Sequence, residues 1–155
     1  MEQPLALRFE RIVNENLPKR KEMIRVLKEN AMPADLFYKK GNGVKFILEK
    51  TGRLTDFKGI YGFLDGDKLV YIDESSYVIR RLVRQFKGNS KYQLKLATLM
   101  VATHQPSDSS FTSASALNKM KKMKIIFMDV PDDLERQLTT LYLQCQFECR
   151  YNRFD

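Results

Sequence analysis

The sequence predicts an α+β fold: a small three-stranded antiparallel or mixed β-sheet flanked by helices, with a helical N-terminal extension. Three observations carry the prediction. Two β-rich runs surround the turn Asp65-Gly66-Asp67, apolar residues recur at helical spacing on both sides of them, and a separate apolar run, Ile125-Ile126-Phe127-Met128, lies near the C-terminus. β-rich runs around an Asp-Gly turn read as a hairpin, and i, i+3, i+4, i+7 spacing reads as a helix with one apolar face.

Leu5, Phe9 and Ile12 mark a first helical stretch and Met23, Val26 and Leu27 a second, interrupted at Leu17-Pro18 and stopped at Asn30. Residues 31–57 are broken by Met32-Pro33, Gly41-Asn42-Gly43 and Thr51-Gly52, which leaves a short helix or strand around 44–49. Residues 1–57 are therefore assigned to a mainly helical extension and 58–155 to the principal domain. Ile60, Tyr61 and Phe63 lie on the first hairpin strand, and Leu69, Val70, Tyr71 and Ile72 on the second.

Ser75 or Ser76 offers an N-cap to the next helix. That helix turns Ile79, Leu82, Val83 and Phe86 to the core and carries Arg80, Arg81, Arg84 and Lys87 elsewhere. Gly88-Asn89 ends it, and Ser90 begins another that reaches about Ala102. Residues 105–115, rich in Ser and Thr, read as a mobile connection. Lys121 to Lys124 lead into the third strand. Pro131 and Asp132 open a last helix marked by Leu134, Leu138, Leu141, Tyr142 and Cys145. The order from Lys58 onward is ββααβα.

Hydrophobic residues at 43% and aromatics at 11% are enough for a core and argue against wholesale disorder. No apolar run reaches membrane-spanning length and the N-terminus has no hydrophobic leader, so the expectation is a cytoplasmic, unsecreted protein with no membrane association. Cys145, Cys149 and the single His104 do not make the paired ligand spacing of a zinc site; reduced thiols are expected. Lys and Arg total 27 against 19 acids, a net charge of +8. That balance favours a polyanionic partner, nucleic acid before an anionic membrane.

Gly59-Ile60-Tyr61 lies on the first hairpin strand, Tyr71-Ile72-Asp73 follows ten residues later, and Arg81 ten further on. Lys91, then Glu135 within Leu134-Glu135-Arg136-Gln137-Leu138, then Tyr151-Asn152 follow in order. Over residues 57–153 this series resembles the GIY-YIG endonuclease superfamily. Asp73 stands where the family has glycine, Gln85 where some members have histidine, and the interval from Glu135 to Asn152 is longer than in compact members.

The resemblance implies a divalent-metal-dependent DNA endonuclease, restriction-type or repair-like, that hydrolyses phosphodiester bonds. Tyr61 would be the general base and Tyr71 would position the water or share its proton. Tyrosine ordinarily ionises near pH 10, so a base working near neutrality needs that value lowered, with Lys91 and the metal as sources of the field. Arg81 would clamp the phosphate, Glu135 would hold Mg²⁺ (or Mn²⁺), and Asn152 would orient the tyrosine or the carboxylate. Arg80, Arg84, Lys87, Lys121 and Lys122 would extend the DNA path, with Lys119 and Lys124 beside them. Cutting both strands is compatible with a homodimer. The alternative is a catalytically degenerate DNA-binding module on the same scaffold, for which Asp73 is the best support; a basic protein-interaction domain ranks third. Without the motif, the same residues read as sheet tyrosines, solvated helix charges, a helix-dipole acid and a turn asparagine.

Overall fold

The computed structural model describes residues 2–153. Its N-terminal segment is a helical rod: α1 (Leu5–Arg11), a π-helical turn (Ile12–Asn16) and α2 (Leu17–Glu29). Where an interruption is expected at Leu17-Pro18, the helix widens instead. Proline has no N–H and its ring crowds the carbonyl one turn back, and a π turn relieves that crowding while Pro18 sits in the first turn of α2. The wider turn also rotates the apolar stripe. Ile12, Leu17 and Ile24 are buried, whereas Leu5, Phe9, Met23 and Val26, expected to face inward, are exposed.

Next come β1 (Met32–Pro33), α3 (Asp35–Tyr38) and α4 (Val44–Lys50). The hairpin pairs β2 (Gly59–Asp65) with β3 (Lys68–Ser75) across the loop Gly66-Asp67. Gly66 has φ +62 and Asp67 is not among the residues with positive φ, which suits a tight loop with glycine at its first position. Then follow α5 (Val78–Lys87), α6 (Lys95–His104), α7 (Ser113–Lys121), β4 (Lys124–Asp129) and α8 (Asp133–Gln146).

The sheet has four strands, in the order β1-β4-β2-β3, with every neighbouring pair antiparallel. The expected three-stranded sheet is thus corrected by β1, whose Met32 and Pro33 pair with Ile125 and Lys124. Pro33 can join only because it lies on an edge, where a missing N–H is tolerated.

Two helical layers cover the sheet. One core joins Phe37 and Ile47 to Tyr61, Phe63, Tyr71, Ile79, Leu82 and Phe86. The other joins Ile24 of α2 and Leu143 of α8 to Ile60, Leu69, Ile72 and Ile126. Residues before Lys58 therefore contribute to both layers and to the sheet.

Several local expectations are corrected. Asp56, not Ser75 or Ser76, caps α5, accepting hydrogen bonds from the backbone N–H of Ile79 and Arg80 at 2.9 Å. The helix expected from Ser90 starts at Lys95. The Ser/Thr-rich connection ends at Thr112, whose side chain forms a capping box with Ser115 and starts α7. In α8 the buried face is Arg136, Thr139, Thr140 and Leu143, while Leu141 and Cys145 are exposed. Among the described residues no helix is long and apolar enough to cross a membrane.

Candidate functional site

A bulge builds the site. Phe63 pairs with Tyr71 and Leu64 with Leu69, so Val70 is an extra residue in β3. Val70 and Tyr71 then face the same core, and Tyr71 joins Tyr61 and Phe63 on one side of the sheet. The Tyr61 and Tyr71 rings lie 6.3 Å apart. The apolar stripe of α5 packs on this same face and brings Arg81 beside the Tyr61 phenol, with the guanidinium 4.5 Å from the centre of the Tyr92 ring. Tyr61, Tyr71 and Arg81 are thus gathered.

The phenols are fixed by groups that the motif does not supply. Gln85 Nε2 donates to Tyr61 Oη at 2.9 Å, and Gln85 Oε1 accepts from the Leu96 N–H at 3.0 Å. Tyr71 Oη donates to Asp73 Oδ2 at 2.8 Å, and Lys95 Nζ donates to the same oxygen at 3.1 Å. Sequence reasoning marked Gln85 and Asp73 only as departures, though a polar residue within the apolar stripe of Ile79, Leu82 and Phe86 was a signal that Gln85 is buried for a purpose. Nothing local pointed to Lys95.

Both phenols are held neutral. Burial pushes Tyr61 far above the ordinary tyrosine value, and the Asp73 carboxylate pushes it further; Gln85 and Arg81 offset this only in part. Burial likewise raises Tyr71, followed by neighbouring Tyr61 and Asp73. Each tyrosine is 0% exposed. Burial and the Asp73 carboxylate thus shift both phenols away from, not toward, the lowered value that a general base near neutrality needs. What the arrangement offers to solvent is cationic: half-buried Arg81 and, on the same helix, exposed Arg80 and Arg84.

The other expected site residues lie elsewhere. Glu135 is in the α2/α8 layer, across the sheet from the phenols, where Oε1 accepts from Arg20 Nε at 3.1 Å. Asn16, Lys19, Arg20 and Met23 share that place with it, so the neighbouring charges are cationic. One carboxylate already paired with arginine does not fit a Mg²⁺ or Mn²⁺ ion serving the tyrosines, and Asp73 is already engaged by Tyr71 and Lys95. Among the described residues there is no group of three or more His, Cys, Asp or Glu placed to share a metal.

Lys91 is exposed in the turn before α6; Lys95 is the lysine at the phenols. Asn152 hydrogen-bonds neither Tyr61, Tyr71 nor Glu135: its amide bonds both the N–H and the C=O of Ile72 at 2.9 Å. Of the flanking cations, Arg80 stacks 4.8 Å from the centre of the Tyr77 ring. Lys87 donates to the carbonyls of Lys39 and Asn42, Lys121 sits 3.6 Å over Tyr38, and Lys122 is exposed. Both cysteines are free, and burial pushes the Cys149 thiol up to about 12.

Compared with known proteins, the chain matches no family model, no curated protein and no solved structure.

Proposed function

We propose that this chain is a DNA-binding module on a scaffold resembling that of the GIY-YIG endonucleases, and that it grips the phosphate backbone through Arg81, Arg80 and Arg84 rather than hydrolysing it. The observation that carries this reading is the complete burial of Tyr61 and Tyr71 against the apolar face of α5, whose solvent side carries Arg80 and Arg84. In this reading the phenols brace β2 and β3 against α5, and Gln85 and Asp73 occupy the hydroxyls that hydrolysis would need free. Arginine suits the contact because its fork of donors fits phosphate oxygens and it keeps its charge at any relevant pH. Backbone contacts of this kind give affinity that falls with salt and little sequence preference.

A second reading, a metal-dependent endonuclease, is favoured by the convergence of Tyr61, Tyr71 and Arg81 on one sheet face. It requires the buried phenols to become accessible to water, and a carboxylate other than Glu135.

Plasmid DNA incubated with the protein in Mg²⁺, Mn²⁺ or EDTA separates the two. The expected outcome is a retarded band in all three conditions with no nicking. Metal-dependent nicking that disappears in Tyr61→Phe would establish the endonuclease and overturn the binder.

A further inference from the structure

Resting on the binding reading above, we infer that the face of α5 takes an unpaired nucleic-acid strand, with Tyr77 and Tyr92 as base-stacking platforms. Two arginine-on-tyrosine stacks lie on this face. Arg80 lies 4.8 Å from the centre of the Tyr77 ring and Arg81 lies 4.5 Å from that of Tyr92. The two arginines are consecutive in α5, and Arg84 is one turn further along, exposed like Arg80.

Both rings remain open to solvent, Tyr77 at 55% and Tyr92 at 75%. Each has an arginine close at hand and more than half of its surface uncovered. Flat aromatic surfaces set among arginines are the chemistry that binds a single strand: the guanidinium groups pair with phosphates and the rings take the bases. A duplex hides its base faces in the stack and could use only the charges. The tyrosines therefore separate the two kinds of strand.

The Lys95–Asp73 ion pair borders the same site. It pairs the Asp73 carboxylate, which Tyr71 also bonds, with a cation, so that carboxylate does not stand free against incoming phosphate.

Anisotropy titrations at low salt test the inference. The probes are a labelled dT oligonucleotide and an rU oligonucleotide of about a dozen residues, a matched duplex, and an abasic strand of the same length. Wild type should bind dT or rU roughly tenfold or more tighter than the abasic strand, on the scale measured for one base–aromatic stack. Comparison of dT with rU identifies the sugar. Tyr92→Ala and Tyr77→Ala should each weaken dT or rU binding by about one stack, roughly fivefold or more. The double variant should lose the margin, while duplex affinity stays within about twofold and Tyr92→Phe keeps the margin. Both side chains are exposed, so these variants should fold as wild type does.

The stacking inference is overturned if the abasic strand binds as well as dT and rU, or if the alanine variants weaken the duplex equally. No binding to any probe would instead overturn the DNA-binding reading beneath it.

Discussion

Gln85 joins two buried partners, the Tyr61 hydroxyl and the Leu96 N–H, at 2.9 and 3.0 Å. An apolar residue of similar size fills the space but leaves both partners without a hydrogen bond. A buried unsatisfied group costs about 1–3 kcal/mol, so Gln85→Leu should lower stability by about 2 kcal/mol or more. Urea unfolding should show an earlier midpoint with an unchanged slope; a change below about 0.5 kcal/mol would remove Gln85 from the role of brace. At this scale much was legible. The resemblance implied one site for Tyr61, Tyr71, Arg81 and Glu135; the structure gathers the first three and leaves Glu135 with Arg20. Lys95 was not legible, because its pairing with Asp73 depends on how α6 packs against the hairpin. Nor was the position of Glu135. Its place in the first turn of a helix is readable, since Asp132 caps its N–H, but which side of the sheet that helix covers is not.

The outer edge of β3 is closed by the chain that follows α8. The Tyr151 N–H donates to the Val70 carbonyl, and the Asn152 amide bonds both backbone groups of Ile72, as a neighbouring strand would. Asn152→Ala removes two hydrogen bonds and should cost about 1–3 kcal/mol, with faster amide exchange at Ile72. Unchanged exchange at that amide would contradict the edge-closing role. The hairpin and β4 could be read from β-rich and apolar runs, and α5 because its apolar residues follow one helical period. Other elements escaped for specific reasons: β1 is two residues long, too short for any period, and the π turn shifts the stripe of α2 by a fraction of a turn. The buried face of α8 is mostly polar, with Arg136, Thr139 and Thr140 beside Leu143. Arg136 there bonds the Val130 carbonyl and pairs with Asp133 and Glu74, so its apolar residues gave a misleading face.

For the whole molecule, the net charge of +8 forecasts a polyanionic partner but not where it sits. On the proposed binding reading the location is α5. Lys87 and Lys121 are tied to the segment around α3, whereas Arg80 and Arg84 remain exposed on α5 with Arg81 half-buried between them. The direct test is the salt dependence of DNA affinity for wild type and for the double variant Arg80→Gln/Arg84→Gln. Each neutralised phosphate contributes about 0.9 to the slope of log affinity against log salt, so losing two contacts should make the slope shallower by roughly 1.8. Identical slopes for the two proteins would mean that DNA, if it binds, does not bind on α5.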